Sequence, residues 1–215
     1  MTRFLLLLAL LALPGLAAAQ TGGLALRIGT TGIGGDAILG VGDRFQVRAS
    51  GTFLPYSTTY LQEDDRVDVS YEADAQLFTV AGLVDFYPFK NTLRLSTGLV
   101  YNASTVSALG TPAESYTTGG RTFSPEQLGT VQADLSHSAQ IQPYLGLGFG
   151  NPLAGGRFGV MLDMGVFYTG SPTVTMEATE MLAPTAENAP AIQEALSPVT
   201  IYPAVSLAFS VRFGD

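Results

Sequence analysis

The sequence predicts an all-β fold: an eight-stranded antiparallel up-and-down transmembrane β-barrel. Three observations predict it. Apolar and polar residues alternate with a period of two in segment after segment. Hydrophobic residues make up 47% of the chain and charged residues only 13%, where a soluble domain carries about 25% charged residues. Beyond the first twenty residues, no stretch is apolar for the ~20 residues that a spanning helix needs. Strands conceal such apolarity by turning alternate residues toward lipid.

The chain opens with a leader. Arg3 supplies a positive charge, residues 4–13 are uninterruptedly apolar, and Pro14, Gly15 and Ala17-Ala18-Ala19 form a small-residue cleavage site before Gln20. These are the parts of a secretory signal peptide. The apolar core is too short for a spanning anchor. Residues 1–19 are therefore read as the signal peptide and 20–215 as the barrel.

Alternation defines the strands. Leu24, Leu26 and Ile28 are apolar at even positions, and Ile33, Ala37, Leu39 and Val41 at odd ones. The parity flips across Gly29-Thr30-Thr31-Gly32, where a tight turn gives two strands and a bulge would give one. Single-chain bacterial barrels have even strand numbers, which selects the turn and a total of eight. Phe45, Val47, Ala49 and Phe53 alternate with Gln46, Arg48, Ser50 and Thr52. The segment from Val67 carries Asp68, Ser70, Glu72, Asp74 and Gln76 on its polar side and blurs after Leu77, which reads as a β-bulge. Leu93, Leu95, Leu99 and Tyr101 then alternate with Arg94, Ser96, Gly98 and Asn102, and Ile141, Leu145, Leu147 and Phe149 with Gln142, Tyr144 and Gly148. Phe158, Val160, Leu162, Met164, Val166 and Tyr168 alternate with Gly159, Met161, Asp163 and Gly165. In the last segment Val199, Ile201, Val205, Leu207, Phe209, Val211 and Phe213 oppose Tyr202, Ala204, Ser206, Ala208, Ser210 and Arg212.

Short connections at Gly42-Asp43, Lys90-Asn91 and 152–156 alternate with long ones over 57–66, 104–135 and 170–197. Outer-membrane barrels alternate in this way, with short periplasmic turns and long outer loops. Within the last long connection, Ala186, Ala189, Ile192, Ala195 and Leu196 suggest a short helix. Aromatic residues suggest two girdles. Phe45, Phe86, Tyr87, Phe89, Phe149, Phe158 and Phe213 lie near the short turns, and Phe53, Tyr56, Tyr71, Tyr101, Tyr168 and Tyr202 near the long loops. The spacings within single strands approach the 9–11 residues of a tilted spanning strand.

Charged residues fall on the polar strand faces: Arg27, Arg48, Arg94 and Arg212, with Asp36, Asp85 and Asp163. A small barrel is filled by side chains, and buried charges need partners. The bland reading is an internal ion-pair network, and the functional one is a charged ion path. The small residues Gly98, Gly148, Gly165, Ala204 and Ala208 lie on this same face, as a narrow lumen requires. Gly146-Leu147-Gly148-Phe149-Gly150 resembles part of a nucleotide loop, but it lacks the following helix and Lys.

The leader, the eight alternating strands and the closing segment Val205-Ser206-Leu207-Ala208-Phe209-Ser210-Val211-Arg212-Phe213 together resemble the small bacterial outer-membrane β-barrel proteins: the OmpA membrane domain, OmpX and OmpW. The passage Leu83-Val84-Asp85-Phe86-Tyr87-Pro88-Phe89 also resembles a strand-end segment of proteobacterial barrels. The likeness is architectural and spans the mature chain. It implies an outer-membrane location and contact with outer-membrane lipid and lipopolysaccharide. It also implies recognition by the barrel-assembly machinery through the C-terminal strand, which in that group ends on an aromatic. Phe213 matches, although Gly214 and Asp215 follow it.

The expected function is a non-catalytic integral outer-membrane barrel with a structural, surface-interaction or small-solute passage role, without metal or cofactor. The chain has no Cys, which excludes thiolate chemistry. Its formal charge of −8 becomes more negative when Arg3 leaves, which argues against nucleic acid. Two alternatives have distinct signatures. His137, the only His, lies beside Ser138, the residue types used by lipid A deacylases of the PagL type. A Ser nucleophile needs its base within hydrogen-bond reach, and neighbours on a strand face opposite ways. A soluble periplasmic lipocalin-like barrel would instead turn its apolar face inward around an apolar ligand. The long connections are acidic, with Glu63, Asp64 and Asp65 in the first, Glu114 and Glu126 in the second, and Glu177, Glu180, Glu187 and Glu194 in the last. Their oxygens suit divalent cations at a lipopolysaccharide surface.

Overall fold

The computed structural model describes residues 21–62 and 68–214. The leader and Glu63, Asp64 and Asp65 lie outside the described residues. In chain order the strands are β1 (Gly22–Gly29), β2 (Gly32–Val41), β3 (Phe45–Gln62), β4 (Val69–Phe86), β5 (Leu93–Asn102) and β6 (Thr105–Pro112). A small hairpin, β7 (Tyr116–Thr118) and β8 (Arg121–Phe123), precedes helix α1 (Pro125–Leu128). Then come β9 (Val131–His137), β10 (Ile141–Phe149), β11 (Phe158–Tyr168) and β12 (Pro172–Ala178). A 3-10 helix (Glu180–Asn188), helix α2 (Ala189–Leu196) and β13 (Ile201–Phe213) complete the chain.

Eight antiparallel strands form a closed ring: β1, β2, β3, β4, β5, β10, β11 and β13, with β13 returning to β1. Closure runs from Gly22 opposite Phe213 to Gly29 opposite Ser206. The parity flip near the start is a two-residue hairpin. Gly29 pairs Gly32, whose φ of 114° favours glycine. At the opposite end Lys90 donates to Asp43 at 2.7 Å, and this hydrogen bond holds the Asp43 carboxyl below its ordinary range.

The ring is apolar outside and polar inside. Leu26, Val47, Val84, Leu99, Leu145, Val160 and Phe209 all point outward and are exposed. No outward side chain in this band carries a charge. Thr97, in the middle of it, satisfies its hydroxyl by donating to the Tyr144 carbonyl at 3.2 Å. Inward residues on the same strands include buried Arg48, Asp85, Arg94, Gln142 and Asp163.

The break in pattern after Leu77 is not a bulge. β3 and β4 pair in one unbroken register from Phe45 opposite Phe86 to Gln62 opposite Val69. Facing is constant, with odd residues of β4 inward throughout, but polarity inverts. Below the break Phe78, Val80 and Val84 point outward and Thr79 and Asp85 inward. Above it Gln76, Asp74 and Glu72 point outward and Leu77, Ala75 and Ala73 inward. The strand has left one surrounding medium and entered another.

Beyond that boundary the described parts of the long connections carry further strands and helices. The outer half of β4 pairs β6, β6 pairs β9, and β9 pairs β12, extending one side of the wall as an outer sheet. Strands β1, β2 and β13 contribute nothing to it, so the wall is tall on one side and low on the other. The helix expected near the end of the chain is present as α2. Gln193 on α2 donates to the Pro172 carbonyl at 2.6 Å and accepts from the Val174 amide at 2.8 Å, which satisfies backbone groups of the edge strand β12.

Leu162→Arg places a charge mid-strand on the apolar face. It should lower unfolding free energy in bilayers by about 2–4 kcal/mol. Glu72→Arg, outward but above the polarity boundary, should change it by less than about 0.5 kcal/mol. Equal effects in denaturant titrations would show that the two positions share one medium.

Candidate functional site

The inward positions of the ring converge on a filled lumen. Asp163 on β11 receives three guanidinium groups: Arg94 at 2.6 Å, Arg48 at 3.0 Å and Arg27 at 3.0 Å. Arg48 also reaches Asp85 at 3.0 Å, and Arg27 donates from Nε to Asp36 at 2.9 Å. Arg27 donates to the Ser206 hydroxyl, and Ser96 donates to Asp85. Three Arg and three Asp make a cluster of zero net charge. All six are buried. The Arg fork lets each cation serve more than one carboxylate oxygen.

Missing side chains make room for this. A Cβ on Gly148 would lie 2.5 Å from Arg94 Nε, and one on Gly165 or Gly146 would lie 2.4 Å from the Tyr144 hydroxyl. These glycines are small because larger lumen residues occupy their space.

The short-turn end is closed by the 150–156 connection. Arg94 donates to the Gly150 carbonyl at 2.7 Å, and Gln46 donates to Asn151 at 2.8 Å. Leu153 packs against Ala25, Ile38, Met161 and Ala208. Above the charge cluster lies a layer of Leu83, Val100, Tyr144 and Phe167, with Tyr202 stacked on Phe167 at 5.8 Å. A cavity of about 40 Å³ lies between the cluster and this layer.

Three residues stand elsewhere than the sequence suggested. Arg212 lies outside the charge cluster, and its guanidinium donates to the Leu153 carbonyl at 3.2 Å. Tyr87 is not a girdle residue. It follows the outward Phe86, so it turns inward, is buried, and donates to Gln46 at 3.2 Å. Tyr202 shares the inward parity of Ala204 and Ser206, and its hydroxyl donates to the Thr30 carbonyl at 2.8 Å. Phe45, Phe149, Phe158 and Phe213 are exposed on the outer face toward the short turns, and Phe53, Tyr101 and Tyr168 toward the other end. Phe89 is exposed in a turn.

His137 and Ser138 form no dyad. His137 Nδ1 is buried without a hydrogen-bond partner. Among the described residues no group of three His, Asp or Glu side chains is placed to hold a metal ion.

No family model matches the chain, and no curated protein matches it by sequence. Among solved structures it is similar to Acinetobacter baumannii CarO2, with a TM-score of 0.62 and 16% identity, covering 91% of this chain and 99% of that one. It is also similar to Acinetobacter baumannii CarO, with a TM-score of 0.59 and 18% identity, covering 89% and 97%. At such identity the likeness is one of fold.

Arg94→Ala leaves two Arg against three Asp, one excess negative charge in the buried cluster, and should cost about 3–5 kcal/mol in unfolding of the reconstituted barrel. Gly148→Ala, which presses on Arg94, should cost about 1–3 kcal/mol. A stable Arg94→Ala barrel would mean that the cluster is hydrated.

Proposed function

We propose that the chain is an integral outer-membrane protein whose barrel is a closed anchor and whose outer sheet is its working surface. Its role is structural or surface-interacting, neither catalytic nor the passage of solutes. One observation carries this reading: the same ring bears an uncharged apolar band outside and a closed, charge-balanced core inside. A closed ring satisfies every strand in a medium without water, and an apolar exterior is stable only where that medium is lipid. The filled lumen argues against a steady path for ions.

The competing readings fit less well. A lipocalin-like binder would turn its large apolar residues inward, and here they point outward. A deacylase of the PagL type would join its His and Ser, and here His137 Nδ1 has no partner. Lipid and lipopolysaccharide are the expected partners of the band. The outward Val205, Leu207, Phe209, Val211 and Phe213 of β13 are the expected handle for the assembly machinery.

The mature chain should stay with outer membranes through a carbonate wash. In planar bilayers it should show no steady single-channel conductance. Steady, ion-selective conductance that Arg94→Ala alters would make the barrel a channel instead.

A further inference from the structure

The outer sheet has two edges, and the chain treats them differently. At the β12 edge, Gln193 of α2 engages backbone groups of Pro172 and Val174. The opposite edge is the outer half of β3, residues 54–62. β2 accompanies β3 only as far as Phe53 opposite Ile33, whereas β4 follows it to Gln62. Among the described residues no strand pairs the other side of residues 54–62. Register fixes which backbone groups lie open there. The Tyr87 amide donates to the Arg44 carbonyl in continuation of the β3–β4 ladder, so even residues of β3 turn their backbone groups to β4. Odd residues turn theirs the other way, to β2 as far as Phe53 and to open space beyond it. The amides of Ser57, Thr59 and Leu61 and the carbonyls of Pro55, Ser57, Thr59 and Leu61 therefore point out of the edge. All four residues are exposed.

The usual protections of a sheet edge are missing. Natural edges are blunted by charge, proline, a bulge or a covering element. Residues 54–62 carry no charge, their pairing with β4 has no bulge, and their one proline lies at the ring end. Tyr56 and Tyr60 stand on the inner face of this strand and are 58 and 57% exposed. Tyr60 stacks on Tyr71 across the ladder at 6.2 Å, so an aromatic row runs to the edge and stops there. On the other face Glu72 and Asp74 stand beside Thr59 and Ser57.

We propose that the outer half of β3 is a docking edge for an extended strand of another polypeptide, free of acidic residues and aromatic on one face. The chemistry selects it on three counts. A row of alternating backbone donors and acceptors is matched by another strand. The exposed tyrosines reward an aromatic residue set opposite them. Glu72 and Asp74 disfavour acidic residues on the other face. Addition is antiparallel, as in every pairing of the outer sheet. Two copies in one membrane run β3 in the same direction and cannot meet antiparallel through this edge, so the occupant is a different chain. The proposal rests on the reading of the outer sheet as the working surface. Membrane retention and conductance test the membrane reading, and strand binding by the folded chain tests this one.

A labelled synthetic peptide copying residues 54–62, Leu-Pro-Tyr-Ser-Thr-Thr-Tyr-Leu-Gln, has the required chemistry. Laid antiparallel about Thr58, it sets a tyrosine opposite both Tyr56 and Tyr60. Fluorescence anisotropy should show saturable binding to the folded chain in detergent micelles. Backbone N-methylation of the peptide residues that copy Ser57 and Thr59 removes two donors facing the edge and should weaken binding by roughly tenfold or more. N-methylation of those that copy Thr58 and Tyr60 blocks amides facing away and should leave binding within about twofold. Ser57→Pro in the protein removes an edge amide without taking a hydrogen bond from β4, and should weaken binding similarly while the barrel keeps its heat-modifiable gel migration. Should that variant not fold, the two methylated peptides still decide on the parent protein. Four results would overturn the proposal: no saturable binding, equal binding of the two methylated peptides, undiminished binding by folded Ser57→Pro, or a dimer of the protein that Ser57→Pro dissolves, which would make a second copy the occupant.

Discussion

The carboxylate of Asp163 is the contact on which the lumen depends. It sits on β11 and holds Arg27 from β1, Arg48 from β3 and Arg94 from β5, at 3.0, 3.0 and 2.6 Å. Asp36 on β2 and Asp85 on β4 complete the balance. Six strands of the ring therefore contribute a charge to one cluster. The remaining two yield space or a hydroxyl: β10 through Gly146 and Gly148, and β13 through Ser206 and Ala208. Such a cluster needs a narrow ring, because a wider one would admit water and let each ion solvate separately. It also holds the ring narrow, since an unpaired member would be an ion in a low-dielectric core. Strand number, glycine placement and closed lumen are one solution to one problem.

The exterior imposes the complementary constraint. Because the facing of β4 never changes, its sequence records what lies on each side of the wall. Phe78 and Val80 face one medium and Gln76 and Asp74 another, two residues further along the same face. A periodic reading with a single rule for inside and outside takes this inversion for a register slip, which is why the sequence reads as a bulge after Leu77. β3 undergoes the same change, from outward Phe53 to outward Ser57 and Thr59.

Much of the ring was legible because its outward residues obey one rule over eight strands. The parity flip at Gly29 to Gly32, the short turns and the inward placement of Arg48, Arg94 and Asp163 followed from it. The two misplaced tyrosines show a weaker inference at work. Closeness to a turn says nothing about facing, whereas parity does: Tyr202 is even, like Ala204 and Ser206, and Tyr87 is the neighbour of outward Phe86. The outer sheet was missed for a different reason. Its strands also alternate, as in Pro172, Val174 and Met176 against Thr173, Thr175 and Glu177. They are short, weakly apolar segments, and nothing in spacing alone distinguishes them from loop. The membership of Arg212 was beyond sequence, since its position at the short-turn end sets it against the Leu153 carbonyl instead of a carboxylate.

The outer sheet follows from the same register that builds the ring. Ala73, Ala108, Ala133 and Met176 stand in one cross-strand row, and Ala75, Val106, Leu135 and Val174 in the next. Above the polarity boundary the outward face of β4 is polar and its apolar residues turn inward, where they need a cover. α1, the 3-10 helix and α2 lie against β6, β9 and β12. Since β3 and β4 run without a break from the short turns into this sheet, it is wall and not appendage. The cover is incomplete where α2 returns to β13, on the side where the wall is low. A cavity therefore forms between the sheet, a helix that also seals the sheet's edge, and the mouth of the ring. The one histidine of the chain, His137, is among the residues that line it, with Leu77, Leu135 and Leu196.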